Sequence, residues 1–460
     1  MAIIHIKISA RNTEALRNLP TDYKVSVARH TLEQVPTGYT IHAHANEAQI
    51  HALETSGYLV QRLENADTEG KVRQQEVRHT MPEMATPGGA FPAATGTGYL
   101  SPPVVEKTVA ALAAHNPAFV KLINLPNKTW ENRVCSAVKI GTGTGKDHSI
   151  MPPNRPGIYL LGGIHAREWG SPDILVNFVC RLAEAFRDKT GLQLGSNKFT
   201  PDQIQHLVNG RDTYVFPQAN PDGRSFSMTQ DAMWRKNRRA APPGSQCLGV
   251  DVNRNYDFMW DFPVFFASNA GVANSKMPCD ETYIGPAATS EPETKNVVWL
   301  LENFPNIRYF VDLHSYSESI LYNWGDDEDQ VTDPNMNFQN PAYNGKRGLR
   351  GDQSYKEYMP TGDHALEIEL ANTMRTAIQS TRGRTYTVEP SVGLYPTAGT
   401  STDYAYSRHF ANAHKPKVCA FTIEWGSANN PTPFHPPYGE MRQIIDEITA
   451  ALLAFCIAAP

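Results

Sequence analysis

Across the first 64 residues the apolar positions fall in short runs with two different periods. AIIHIKI, NTEALRNL, YKVSVA, YTIHAHA, NEAQIHALETS and YLVQRLE read in turn as strand, helix, strand, strand, helix and strand. That order predicts a small ferredoxin-like α+β domain over 1–64, with its split βαβ arrangement. The next stretch, ADTEGKVRQQEVRH, is charged, and MPEMATPGGAFPAATGTGYLSP is rich in Pro, Gly, Ala and Thr. Such composition resists packing, so a linker is expected over 65–98, with Arg73 and Arg78 inside it.

From 99 to 460 the pattern becomes an alternation of helices and strands. VVEKTVAALAAH has the spacing of an amphipathic helix. Apolar runs at 157 to 164, 213 to 218, 307 to 313 and 418 to 425 read as strands, and 172 to 187, 201 to 209, 291 to 303, 363 to 381 and 438 to 456 read as helices. Strands that are apolar almost throughout belong in a sheet covered by helices on both faces, which predicts an α/β domain. In open sheets of this kind function gathers at the carboxyl ends of the strands. GTGTGKDHS (141 to 149) resembles a phosphate-binding loop, but Ile140 stands where its first Gly belongs and Asp147 where Ser or Thr is required, so it reads as a plain loop.

Composition adds exclusions. With 460 residues, 40% hydrophobic and 19% charged, the chain has the make-up of an ordinary globular protein of two or three domains. A net charge of -5 gives no reason to expect nucleic acid as a partner. No run of 18 apolar residues predicts a membrane span, and the first residues lack the pattern of a secretory leader, so the default compartment is cytoplasmic with export left open. Cys135, Cys180, Cys419 and Cys456 lie in or beside apolar runs and read as buried thiols. Cys247 and Cys279 lie in polar loops, where two unrelated thiols and a disulfide are both open readings.

The strand GIYLLGGI (157 to 164) ends directly in His165-Ala166-Arg167-Glu168-Trp169. An imidazole and a carboxylate three residues apart in a turn can face one point, and both are zinc ligands. A third candidate, His314, ends the strand IRYFVDL. Two His and one Glu form the three-ligand set of catalytic rather than structural zinc. Glu424 stands inside the apolar strand AFTIEWG, where an unpaired carboxylate is costly; it would serve as a base toward water activated by the metal. MWRKNRR (233 to 239) and CLGVDVNRNYDFMW (247 to 260) supply Arg235, Asn253 and Arg254, donors suited to gripping a carboxylate.

HAREW, WRKNR, GVDVNRN, DLHSYS, LYPTAGTSTDYAY and FTIEWG occur in the order seen in the zinc metallocarboxypeptidase family typified by pancreatic carboxypeptidase A, and the chain resembles that family over roughly 99–460. The resemblance implies a carboxypeptidase-like mixed central sheet and one Zn2+ per chain held by His165, Glu168 and His314. It implies that Glu424 is the general base, and that Arg235 polarises the scissile carbonyl and stabilises the oxyanion. Asn253 and Arg254 would bind the substrate's terminal carboxylate and Tyr395 would close over it. Arg167 would be a secondary substrate contact, Tyr316 a wall of the subsite before the cleaved bond, and Asp251 the acceptor orienting His165. A Cys247–Cys279 disulfide and a cis peptide between Ser315 and Tyr316 are also implied.

The implied activity is zinc-dependent hydrolysis of the C-terminal peptide bond of peptides or proteins bearing a free carboxylate. A peptidase acting on cell-wall peptides, a deacylase with the same ligands, and a binding module with decayed catalytic residues are the rivals. Thr402 resembles the residue at the floor of the specificity pocket and, being neither acidic nor large and aliphatic, predicts a neutral or broad preference. The acidic run Asp326-Asp327-Glu328-Asp329 reads as a solvated loop that would at most tilt the rim toward cationic substrates, and 326–363 as a lid beside the cleft. Pancreatic relatives carry an N-terminal pro-domain; residues 1–64 are similar in architecture, whether inhibitory or permanently attached. Oligomeric state is not set by the sequence.

Overall fold

The computed structural model describes residues 3–79, 97–142, 155–430 and 432–460. Most of the GTGTGKDHS segment lies outside the described residues. Four strands, β1 (Ile3–Ala10), β2 (Ser26–Val35), β3 (Gly38–Asn46) and β4 (Leu59–Asn65), form an antiparallel sheet in the order β2-β3-β1-β4. This is the ferredoxin-like topology expected from the run order. The sheet packs Ile6, Ile8, Ile41 and Ala43 against Leu16, Leu19, Ile50 and Leu53 of its helices. Helix Glu47–Thr55 begins with a capping box in which Asn46 and Gln49 satisfy each other's backbone N–H.

The expected linker is ordered at its start. Residues Ala66–Gln74 form a helix and Val77–Arg78 pairs in parallel with Tyr99–Leu100. The charges that suggested solvation instead suit a helix: Asn65 accepts from two backbone N–H groups, Asp67 and Glu69 sit in the first turn, and Lys71 and Arg73 in the last. Gly70 permits close docking, since a Cβ there would lie 2.4 Å from the Ala232 Cβ. Gln74 donates to the Ser227 carbonyl at 3.0 Å, and Glu76 accepts from Tyr438 N at 3.0 Å and from Arg73 at 2.7 Å. Arg73 is therefore tied into this dock rather than free in a loose tether.

The larger region is built on eight strands: β5 (Val120–Asn124), β6 (Ser136–Ile140), β7 (Gly157–Gly162), β8 (Asp212–Phe216), β9 (Ile307–His314), β10 (Ser319–Tyr322), β11 (Thr387–Pro390) and β12 (Cys419–Glu424). Their order is β11-β10-β12-β9-β7-β8-β6-β5. The four central strands β12, β9, β7 and β8 are parallel, and antiparallel pairing begins at β10 and β6. Alternate residues supply two cores: Ile158 and Leu160 pack with Ile174, Phe178, Met441 and Leu452, whereas Tyr159 and Leu161 pack with Val297, Leu300 and Phe304. Helices thus cover both faces, as the apolar strands require.

Two local expectations change. Asp326 and Asp327 are 0% and 1% exposed, so the acidic run is not a solvated loop. The 326–363 insertion packs inward, with Phe338 against Phe258 and Trp324, and none of its residues lines the cavity that holds His165, Glu168 and Glu424, so it is not a lid on that cavity. A second cis peptide, Asn323-Trp324, accompanies the expected one at Ser315-Tyr316. Cys247 and Cys279 are joined in a disulfide, and the other four cysteines are buried thiols.

Candidate functional site

The site lies at the carboxyl ends of the parallel strands. After β7, Gly163 takes φ +68, and a side chain there would press on Gln218 and Pro172 about 3.1 Å away. The turn that follows is fixed by Ala166 N donating to the Arg235 carbonyl at 2.9 Å and by Glu168 N donating to the His165 carbonyl at 3.2 Å. Asn220 Nδ2 ties the same turn to the 233–239 segment, donating to the Ile164 and Lys236 carbonyls. His165 and Glu168 consequently face His314 at the end of β9, and ligand atoms of all three lie within 4.8 Å of one another.

The inward atoms are His165 Nδ1, 2.7 Å from Glu168 Oε1, and His314 Nδ1, 3.0 Å from both Glu168 Oε2 and His165 Nδ1. Each outward nitrogen meets a buried carboxylate: His165 Nε2 is 3.1 Å from Asp251 Oδ1, and His314 Nε2 is 3.1 Å from Asp312 Oδ2. With the Nε2 protons directed at these carboxylates, two Nδ1 lone pairs would face each other beside an anion. That donor set fits a divalent cation. Ligand atoms around tetrahedral zinc lie about 3.3 Å apart by its ~2.0–2.1 Å bonds, a few tenths more than the separations here. The field points the same way: burial opposes a charge on His314, yet Asp312 and Glu168 raise its pKa well above the usual value.

Glu424 is the register partner of His314 on the neighbouring parallel strand and lines the same cavity. Burial pushes its pKa up to about 7, with His314 and Arg235 opposing and Glu168 adding to the rise. Asp251 begins a 3-10 turn, Val252–Arg254, and accepts from Asn253 N at 3.0 Å. Its Oδ2 also takes Arg235 Nε at 3.1 Å and Nη2 at 2.8 Å. Burial would raise the Asp251 pKa, but Arg235 and His165 hold it well below the usual carboxylate range. Arg235 is thereby clamped with Nη1 free of hydrogen bonds to the described residues. Arg254 donates through Nε to Ala273 and through Nη1 to Asn253, which leaves Nη2 for the cavity. Asn253 Oδ1 accepts from Ser401 N at 2.9 Å.

Tyr395 and Thr402 line the same cavity, as do Arg167 and Tyr316, so the side chains that the family resemblance assigned to metal or substrate lie at or beside it, whereas the acidic run at 326–329 does not. The sequence reading missed Asp312, although an acid inside the run IRYFVDLH is a visible signal. It also named none of the residues by which the small N-terminal domain reaches the site: Ser26, Val27 and Ala28 line the cavity, and His44 Nδ1 lies 2.9 Å from the Tyr316 hydroxyl. Nothing in the local sequence marks those residues.

A family model described as zinc carboxypeptidase matches residues 105–451. Carboxypeptidase A2 of Rattus norvegicus is 31% identical over 296 residues, 64% of this chain and 56% of that protein. The chain thus matches little more than half the length of that relative. Carboxypeptidase B of Rattus norvegicus is 28% identical over 371 residues, 78% of this chain and 75% of that protein. The crystal structure of the carboxypeptidase A from Helicoverpa armigera has the same fold, with a TM-score of 0.69 across 99% of this chain and 98% of that one at 20% identity.

Proposed function

The chain belongs to the zinc carboxypeptidase family, and from that membership we propose that it is a zinc-dependent metallocarboxypeptidase releasing the C-terminal residue of peptides or proteins. The observation that carries this reading is the convergence of His165, Glu168 and His314, each imidazole backed by a carboxylate, beside a half-buried Glu424. His165, Glu168 and His314 would hold one Zn2+. When bound, the ion supplies a positive charge that polarises a carbonyl and makes water a stronger acid.

The chain's own groups supply the rest. Arg254 Nη2 and the Asn253 amide take the terminal carboxylate of the substrate, the bidentate role for which guanidinium geometry is suited. Arg235, held by Asp251, presents Nη1 to the scissile carbonyl oxygen and stabilises the negative charge that develops there. Glu424 accepts a proton from the attacking water and returns it to the departing amine. Tyr395 closes over the bound residue, Arg167 and Tyr316 contact the chain before the cleaved bond, and Thr402 lines the pocket for the terminal side chain. Residues 1–64 act as a domain over the cleft, a reading supported by Ser26, Val27 and Ala28 in the cavity wall. Assaying before and after cleavage between the two regions tests that role; unchanged turnover excludes restriction of access.

Zinc content measured alongside release of C-terminal residues tests the central proposal. One zinc per chain and release from a peptide acid are expected. Amidating the terminal carboxylate removes the partner of Arg254 and is expected to lower kcat/KM by at least about 30-fold, ~2 kcal/mol for a lost charge pair. Equal turnover of acid and amide would favour a deacylase instead.

A further inference from the structure

Asp312 lies two residues before His314 on β9 and so on the same face of the strand. It is 0% exposed. Its Oδ2 lies 3.1 Å from His314 Nε2 and accepts the Ser401 hydroxyl at 2.5 Å. Its Oδ1 has no hydrogen-bond partner, and among the described residues no Lys or Arg pairs with it. A buried carboxylate without a cation of its own is costly, and apolar packing gives no reason to keep one there. Its ion partner is an imidazole whose other nitrogen faces Glu168 and His165.

We propose that Asp312, steadied by Ser401, is a positioning residue that holds His314 with its proton on Nε2 and the Nδ1 lone pair toward the metal, and that ties this ligand to Asn253. The inference rests on the zinc reading given above. A carboxylate at Nε2 stabilises the tautomer with a proton on that atom; the other tautomer would place a proton where the cation belongs. It also raises the basicity of Nδ1.

Ser401 joins two sites. Its hydroxyl donates to Asp312, its backbone N–H donates to Asn253 Oδ1 at 2.9 Å, and Asn253 Nδ2 lies 3.5 Å from His314 Nε2. A displacement of Asn253 on binding a substrate carboxylate would therefore be felt at His314. Asp251 plays the matching part on the other side, accepting from His165 while clamping Arg235. Each metal-facing imidazole is thus backed by a buried carboxylate that is also linked to a cavity residue, Asp251 directly to Arg235 and Asp312 through Ser401 to Asn253.

The test uses the full chain and the variants Asp312→Asn, Ser401→Ala and the double variant. Zinc affinity is measured by competition with a chromogenic chelator, and the melting temperature is measured for the metal-free form. Asp312→Asn is expected to bind zinc about 10- to 100-fold more weakly, the effect of losing such a partner. The metal-free melting temperature should hold or rise, because a buried charge has been removed. Ser401→Ala should weaken zinc less and add nothing to Asp312→Asn in the double variant. Unchanged zinc affinity in Asp312→Asn overturns the proposal, as does a lower metal-free melting temperature without any change in affinity. If Asp312→Asn does not fold, an unchanged affinity in Ser401→Ala overturns it. A wild-type chain that binds no zinc removes the functional reading itself, and that titration precedes any variant.

Discussion

His314 and Glu424 are register partners on adjacent parallel strands, so an imidazole facing Glu168 and His165 and a half-buried carboxylate leave the sheet side by side. In the proposed mechanism this pairing puts Glu424 beside the metal ligands without making it one of them. Glu424→Gln, nearly isosteric, should cut kcat by about 10²- to 10⁴-fold while the zinc content stays at the wild-type level. Because burial raises its pKa to about 7, the ionised base is lost as pH falls through that region, so kcat/KM should decline on the acid side. Bound cation shifts that limb to lower pH by favouring the carboxylate. A pH–rate profile that keeps the same acid limb in Glu424→Gln would assign it to another group.

Arg235 and Asp251 make a second pairing with a kinetic consequence. A guanidinium held by two hydrogen bonds is preorganised before substrate arrives. Arg235→Ala should lower kcat by about 10²- to 10³-fold, some 3–4 kcal/mol at the transition state, with little change in KM. Steady-state kinetics separate the outcomes: a raised KM with intact kcat would make Arg235 a binding residue only.

Metal removal should destabilise the protein. Two Nδ1 atoms at 3.0 Å beside Glu168 favour a cation in the native state and have no such arrangement in the unfolded chain. Zinc at 100 times its dissociation constant should stabilise the fold by about 2.7 kcal/mol, and chelation should reverse it as a drop in melting temperature. Equal melting curves with zinc and with chelator would contradict the site.

Docking of the N-terminal domain should weaken in acid. His44 is buried between Tyr316 and Phe434, its Nε2 has no hydrogen-bond partner, and His5 stacks on it at 5.0 Å. Burial, with His5, Arg167, His435 and His42 adding to it, holds the pKa of His44 well below 6.5. The docked state thus binds fewer protons than the undocked one: full docking strength holds above about 6.5, and strength is lost as pH falls below that value. Hydrogen exchange in 38–46, corrected for intrinsic rates, should rise between pH 7.5 and 5.5 in the wild type and stay flat in His44→Phe. A flat wild-type profile would remove His44 as the cause.

Much of this protein is local and therefore legible in the chain. The strands at 157–162, 307–314 and 419–424 announce themselves as apolar runs because both of their faces are buried. The polar residues that end those runs, His165, His314 and Glu424, stand out because apolar surroundings tolerate them only for a reason. The helix at 66–74 was misread as linker because its burial depends on Gly70 meeting Ala232 and Gln74 meeting Ser227, partners about 160 residues away. The acidic run was misread for a related reason, since charge density implies solvent only until tertiary packing covers it.

By itself, the sequence determined the strands of the small sheet, the four central strands of the larger one, the ligand candidates and their chemistry, since periodicity and side-chain type are properties of neighbouring residues. Only the tertiary structure decided which atoms meet. Parallel register sets His314 against Glu424, the Val252–Arg254 turn brings Asp251 to both His165 and Arg235, and the docked small domain lays His44 on Tyr316. These are distances across dozens to hundreds of residues, fixed by packing of whole elements, and no window along the chain contains them.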